Sequence, residues 1–346
     1  MPMNPLFHFD LDHILEHTRD HWEIMRGEKL FLSGGTGFFG VWLTESFLWA
    51  NKHLNLKANA TLLSRNPEKF INSYPHITSD PSLTMLRGDI RNFDFPPGQF
   101  GSIIHAAAGV NPTTSKENSI ETLATIMEGT QRILNFSDQC GAKRLLFISS
   151  GAVYGKQPSD MSHIAESYNG APDSLDVSTA YGQGKRLAEF LCATQHAQTG
   201  LDVKIARCFA FIGPHLPLDR HYAVGNFIRD ALKSNSIQIS GDGLALRSYL
   251  YAADLAIWLW TLLLNDKSDI VYNVGSENAY SIEGIAREVA KVLNPELKIH
   301  IEKNRVSSSI GDRYIPSTRK AREELKLEQW VDLTESIRRT AMYITQ

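Results

Sequence analysis

Tyr181 and Lys185 stand four residues apart in the stretch STAYGQGKRLAEF. On a helix that spacing puts both side chains on one face. A tyrosine phenol, with an unperturbed pKa of about 10, is a poor base at neutral pH. A neighbouring ammonium favours its phenolate. Tyr181 is then suited to take a proton from a hydroxyl while hydride leaves the same carbon. Alone, the pair reads equally well as a tyrosine and a lysine on the outside of an amphipathic helix. A second feature changes the balance: some thirty residues earlier the run RLLFISSGAVYG carries Ser149 and Ser150 at its end. A serine at the C-terminal end of a buried strand sits where ligands bind in open α/β sheets. Ser150 is the residue placed to hold the reacting oxygen.

These three residues need a sheet to carry them. Apolar, β-rich runs predict strands at Lys29–Ser33, Ala60–Ser64, Leu83–Arg87, Ser102–Ala106, Arg144–Ser149, Val203–Cys208 and Asp269–Asn273. Helix-period stretches lie between several of them: Val41–Ala50, Ser119–Gln139 and Thr179–Gln198. Strand–helix alternation predicts an α/β fold, a doubly wound parallel sheet covered on both faces. Directly after the first strand comes SGGTGFFG, in which Gly34, Gly37 and Gly40 are spaced G-x-x-G-x-x-G before a helix. There glycines permit a tight turn, close approach to a pyrophosphate and close helix–strand packing. The helix N-terminus offers N–H groups and a positive dipole end to the phosphates. A dinucleotide is the expected ligand.

The end of the second strand reports which dinucleotide. An acidic residue there bonds the ribose 2′-hydroxyl of NAD, and an arginine accommodates the 2′-phosphate of NADP. Here Ser64 stands at the acidic position and Arg65 follows. The expectation is NADP(H), with NAD(H) as the alternative. Asp89, in LRGDI, either accepts the adenine amino group or caps a turn.

The totals exclude other classes. Of 346 residues, 42% are hydrophobic and 21% charged, the mix of a globular chain with a large core. A net charge of −3 gives no reason to expect nucleic acid or an anionic membrane as partner. The longest apolar run, Leu255–Leu264, is about half the length of a membrane span. No leader pattern opens the chain. Cys140, Cys192 and Cys208 match no disulfide or metal spacing, which suits a reducing cytoplasm. His8, His13, His17 and His21 lack the partners of a ligand set, so no metal is expected. Within residues 1–28, Leu11, Ile14, Leu15, Thr18 and Trp22 trace one face of a single amphipathic helix.

In order and spacing, SGGTGFFG, GDI, IIHAAA, LLFISSGAVYG, YGQGK, GDGLALRSYLYAADLA and YNVGSENAYSIEGIA resemble the extended short-chain dehydrogenases/reductases, the epimerase/dehydratase group acting on nucleotide sugars. The resemblance covers about residues 29–345. It implies a Rossmann-type dinucleotide domain over 29–208, with 254–274 returning to it. A smaller C-terminal substrate lobe follows, made of 209–253 and 275–346, while 1–28 form an extension. It implies Ser150, Tyr181 and Lys185 as the catalytic set. The cofactor set it implies is Gly34, Gly37, Phe38, Phe39, Gly40, Ser64, Arg65, Asp89, Ile90, Ala106, Ala107 and Cys208, together with Tyr181 and Lys185. On the substrate side stand Ser150, Asn226, Arg247 and Arg313, with Arg247 on a diphosphate, which its planar fork suits. A structural ion pair is the plainer role for Arg247. The resemblance also implies a homodimer built on the Ser119–Gln139 helix and the Tyr181 helix.

Several positions depart from the group's pattern. Ile126 replaces an asparagine, Ala210 stands where FN precedes GP, and Ser309 replaces an arginine for which Arg313 or Arg305 is the substitute. His215 and His221 fall in a loop expected near the sugar. Members that eliminate water carry an acidic pair after the serine, as general acid and base. Gly151 and Ala152 occupy those positions, and the carboxylate of the decarboxylating branch is also absent there. The expected reaction is therefore hydride transfer at a sugar carbinol, at C4: epimerisation through a 4-keto species. An NADPH-dependent ketoreductase, a 4,6-dehydratase and a non-catalytic dinucleotide-binding scaffold are the alternatives.

Overall fold

The structure, a computed structural model, describes residues 3–107, 118–219, 222–265, 269–302 and 312–346. Two compact units emerge: Met1–Gly155 with Ala171–Arg207 and Ala256–Tyr272, and Lys156–Gly170 with Cys208–Leu255 and Asn273–Gln346. Residues 156–170 thus group with the second unit, and the N-terminal extension with the first.

The first unit begins with α1 (His8–Thr18) and continues through β1 (Lys29–Ser33), α2 (Phe38–His53), β2 (Asn59–Ser64), α3 (Pro67–Ser73), α4 (Pro75–Thr78), β3 (Leu83–Arg87), β4 (Ser102–His105), α5 (Ser119–Cys140), β5 (Arg144–Ser150), α6 (Ala180–Thr199) and β6 (Asp202–Cys208). Its sheet has the order β3-β2-β1-β4-β5-β6, closed by a late strand at Val271–Val274. The pairs β1–β2, β1–β4, β2–β3 and β4–β5 are parallel. Strand order reverses between β1 and β4, the switch point where such sheets bind dinucleotides.

Burial explains the runs read as strands. Leu30, Phe31, Leu32, Ile103, Ile104, Leu145, Leu146 and Phe147 have almost no exposed surface, as a sheet covered on both faces requires. Under it Phe31 lies 5.3 Å from Phe93 and 4.8 Å from Phe136, ring centre to ring centre. Each such buried ring contributes roughly 2 kcal/mol. This cluster seats α5, which runs beside α6.

Leu11, Ile14, Leu15, Thr18 and Trp22 are all buried, as the periodicity of the extension predicts. The helix is shorter than expected, however, and gives way to a 3₁₀ turn at Arg19–Met25. Thr18 is the cause: its hydroxyl donates to Ile14 O at 2.6 Å and accepts from Trp22 Nε1 at 2.8 Å. Such back-bonding bends helices. Trp22 then packs 4.6 Å from Trp260, whose indole donates to Ser46 on α2. The late strand starts two residues beyond its expected position, because Asp269 accepts from the Ile270 amide with its own carboxylate.

The second unit contains β7 (Phe211–Ile212), α7 (Ala223–Lys233), β8 (Ser236–Ile239), β9 (Leu246–Arg247) and β10 (Leu250–Tyr251). The chain returns to the first unit through most of α8 (Ala252–Leu264) and into β11, the late strand Val271–Val274; β12 (Tyr280–Ser281), α9 (Ile282–Leu293), β13 (Lys298–Ile301), β14 (Arg313–Tyr314), α10 (Arg319–Leu325) and α11 (Leu333–Ile344) then follow in the second. Among the described residues three small sheets form, β12-β9-β14, β10-β7 and β13-β8. The amphipathic helices α7, α9 and α11 turn Val224, Phe227, Ile285, Val289 and Ile337 inward. No helix among the described residues is long and apolar enough to cross a membrane.

Candidate functional site

Ser150 is the last residue of β5, and it is 8% exposed. Its Oγ accepts from the Ala152 amide at 3.2 Å and so starts the 3₁₀ turn Gly151–Tyr154. Tyr181 lies in the first turn of α6 and Lys185 one turn later. Lys185 is 1% exposed, and its ammonium donates to Ile148 O at 2.6 Å, two residues before Ser150. That ammonium also lies 4.6 Å from the Phe147 ring centre and 5.9 Å from that of Tyr181. β5 and α6 therefore bring Lys185 beside Tyr181 and onto the strand that ends in Ser150. The close approach depends on Gly182: a Cβ there would lie 2.7 Å from Ala152 O. The turn after Ser150 offers no carboxylate, only Gly151, Ala152, Val153 and Tyr154.

The glycine loop begins where β1 ends. Gly34 has φ +76°, and a Cβ on it would lie 2.6 Å from the Ala106 carbonyl carbon. It thereby lets the loop lie against Ala106 and Ala107 at the end of β4. Gly37 is the N-cap of α2 and brings no side chain to cap the first-turn amides of Phe38, Phe39 and Gly40. A Cβ on Gly37 would meet nothing nearer than Gly34 O at 3.6 Å. A bare helix N-terminus with an uncrowded glycine fits a pyrophosphate.

Behind this loop lies a chain of polar contacts that the spacing of motifs does not reveal. Ser33 Oγ is 2.8 Å from His105 Nδ1, and His105 Nε2 is 3.1 Å from Thr130 Oγ1. Thr130 donates its hydrogen to Ile126 O, so Nε2 donates to Thr130 and Nδ1 accepts from Ser33. Burial first, and the charge of Lys185 second, depress the pKa of His105 to about 3. The ring is neutral and ties β1, β4 and α5 together. Ile126, which stands in place of an asparagine, is buried and meets Gly184 of α6 side on.

At the outer end, Ser64 closes β2 and accepts from the Asn66 amide at 3.2 Å, while Arg65 is exposed. The Asp89 carboxylate accepts from both the amide (3.0 Å) and Nε (2.9 Å) of Arg91. Those bonds hold its pKa below the usual carboxylate range. The turn-capping role is thus the contact Asp89 makes. Ile90 is buried against Gly129. Cys208 is buried at the end of β6, and its carbonyl accepts from Tyr314 Oη at 3.5 Å.

In the second unit, Arg247 pairs with Asp312 (3.1 Å) and also donates to Asp312 O and Leu246 O. The ion-pair role is therefore present. Arg313 stands beside Leu246, and Tyr314 beside Arg247. Side chains alternate along a strand, so Arg247 and Arg313 leave opposite faces of the sheet and are not brought together. Arg313 Nε is buried without a hydrogen-bond partner among the described residues. A buried donor of this kind is costly unless a ligand meets it. Asn226 lies in the first turn of α7 and accepts from Arg229 at 3.3 Å. His215 faces Tyr343, Nε2 to Oη 3.0 Å. His221, Arg305 and Ser309 lie outside the described residues. Among the described residues no group of three or more His, Cys, Asp or Glu is arranged to hold a metal.

A second contact network also escapes the motifs. Glu189 on α6 binds Ser149 and Arg207, and Arg207 reaches Tyr154. The available signal was the helical repeat: Glu189 follows Lys185 by four residues and Tyr181 by eight, on the buried face.

Comparison with known proteins gives a consistent picture. Residues 30–275 match the model of the NAD dependent epimerase/dehydratase family. UDP-glucuronic acid decarboxylase 6 of Arabidopsis thaliana is 28% identical over 312 residues, 89% of this chain and 86% of that protein. The fold is that of UDP-N-acetylglucosamine 4-epimerase from Methanobrevibacter ruminantium, with a TM-score of 0.79 at 20% identity over 93% of this chain and 99% of that one. UDP-glucose 4-epimerase of Thermotoga maritima superposes with a TM-score of 0.76 at 19% identity, over 92% and 98%.

Proposed function

Because the chain belongs to the NAD-dependent epimerase/dehydratase family, we propose that it acts on a nucleotide-linked sugar at C4, interconverting epimers through a 4-keto species. One observation carries this reading. Lys185, on the helix face of Tyr181, is bound to the strand that ends in Ser150. A dinucleotide, when bound, supplies acceptance and return of the C4 hydride. Tyr181 removes the O4 proton and gives it back. Ser150 holds that oxygen by a hydrogen bond, and Lys185 places a fixed positive charge beside the phenol. Gly151 and Ala152, at the positions of the acidic pair, cannot move a second proton, which favours epimerisation over elimination of water.

Gly34, Gly37, Phe38, Phe39, Gly40, Ala106 and Ala107 form the pyrophosphate end of the cofactor site. Ser64, Arg65, Asp89 and Ile90 form its adenosine end, with Cys208 at the end of β6. The absence of a carboxylate at Ser64, with Arg65 beside it, supports NADP(H) over NAD(H). That preference makes an NADPH-dependent ketoreductase the second reading. On the substrate side, the unsatisfied Nε of Arg313 supports an anionic ligand; Asn226 and Arg247 are separate candidate contacts, Arg247 on the opposite face of its sheet. Exposed Ile120 on α5 and Leu187 and Phe190 on α6 support a homodimer through these helices. Three free, buried cysteines suit a reducing cytoplasm.

The test is a panel of UDP-glucose, UDP-N-acetylglucosamine and UDP-glucuronic acid with each dinucleotide, products read by NMR. A C4 epimer supports the proposal. Net consumption of NADPH on a UDP-4-keto sugar added to the panel favours the ketoreductase, release of CO₂ a decarboxylase, and a 4-keto-6-deoxy product a dehydratase. Tight dinucleotide binding without turnover of any member favours the non-catalytic scaffold.

A further inference from the structure

Glu189 is a carboxylate in a buried place, 8% exposed, on the helix that carries Tyr181 and Lys185. It accepts from three groups on other elements. Ser149 donates to Oε1 at 2.5 Å. Arg207 of β6 donates through Nε at 3.0 and 3.1 Å and through Nη2 at 2.6 Å. The remaining arm of Arg207 donates to Tyr154 Oη at 2.9 Å, and its guanidinium lies 4.8 Å from the centre of that ring. Tyr154 is the last residue of the turn that Ser150 begins.

A buried ion pair is a poor way to gain stability, since an apolar pair of similar volume commonly does as well or better. What it gives is direction: a planar fork and a carboxylate bond only in a few orientations. An apolar helix–strand contact allows small slides. Here α6 is fastened to β5 twice, one helical turn apart, at Lys185 to Ile148 O and at Glu189 to Ser149 Oγ. Ser149 adjoins Ser150 on one side, and the Arg207–Tyr154 contact holds the turn on its other side.

We infer that Ser149, Glu189, Arg207 and Tyr154 form a positioning relay that sets Ser150 against Tyr181. They are positioning residues, acting through Ser150 and Tyr181. The inference rests on the functional reading above. A small misplacement of reacting groups lowers turnover far more than it lowers binding.

Ser149→Ala removes one bond of the relay and leaves the ion pair in place. Ser149→Thr keeps the hydroxyl. The experiment measures kcat and KM for the sugar nucleotide turned over in the panel above, dinucleotide affinity, and the thermal midpoint. It compares wild type, Ser149→Ala, Ser149→Thr, Tyr154→Phe and Tyr181→Phe. For Ser149→Ala the expected result is a fall in kcat of about tenfold or more, with KM and dinucleotide affinity within about threefold. Ser149→Thr restores most of that loss, and Tyr154→Phe gives a smaller fall of about threefold. A wild type that turns over and a Tyr181→Phe that does not, together with an unchanged kcat in Ser149→Ala, would overturn the relay alone. A lowered thermal midpoint with unchanged kcat would do the same, showing a purely structural bond. A wild type inactive on every substrate would overturn the functional reading and the relay with it.

Discussion

At the β5–α6 end of the first unit the charged groups are buried and held by neighbours. Lys185 donates to Ile148 O, and Arg207 and Ser149 converge on Glu189. At the β2–β3 end the charges lie at the rim. Arg65 is exposed, Arg87 pairs with a Glu68 that is itself exposed, and Arg91 divides itself between Asp89 and Glu121. Rim pairs of this kind contribute little, typically under about 1 kcal/mol, and salt weakens them. The buried end has one arrangement available to it, whereas the rim can rearrange around what binds. On the proposed function, the chemistry belongs to the first region and the choice of dinucleotide to the second.

The sharpest break of this comparison is Tyr181→Phe. Turnover should fall about a hundredfold or more while dinucleotide affinity is retained, as measured by steady-state kinetics and fluorescence titration. Retained activity would remove the buried end from the chemistry. Next comes Gly34→Ala. The added methyl meets the Ala106 backbone at a left-handed φ, so a loss of about 2 kcal/mol in urea unfolding and weaker dinucleotide binding are expected.

Acid separates the two ends further. His105 is neutral in the fold, with its pKa lowered to about 3, while in the unfolded chain it takes a proton below about 6.5. Its contribution to stability is therefore complete above about pH 6.5 and is lost as pH falls toward 3. The slope should approach about 1.4 kcal/mol per pH unit over that window. His105→Gln should flatten it in urea titrations, and an unaltered slope would place the acid sensitivity elsewhere. The smallest effect belongs to the rim: Arg65→Ala should weaken NADP about tenfold and NAD by no more than about twofold. Equal effects on both would show that Arg65 does not read the 2′-phosphate.

The same contrast explains what the sequence reveals. Gly34, Gly37 and Gly40, and Tyr181 with Lys185, are tied to strict geometric requirements, a tight turn and one helix face, and such requirements leave fixed spacings. Ser150 follows from its place at the end of an unbroken apolar strand. Glu189 does not stand out, because a charged residue on a helix ordinarily faces water. Only the partners Ser149 and Arg207, 40 and 18 residues away, explain its burial. His105 is hidden for a similar reason, since Ser33 and Thr130 meet it only in the folded sheet. Arg247 carried two readings, and the register that separates it from Arg313 arises from pairing between strands distant in the chain.

The most direct test is turnover of the sugar-nucleotide panel in D₂O, with the product C4 position read by proton NMR. Hydride transfer keeps solvent deuterium away from C4, so the proposal predicts an epimer with full proton intensity there. Deuterium at C4 would mean that this carbon gives up a proton rather than a hydride, and the account built on Tyr181, Lys185 and Ser150 would be contradicted.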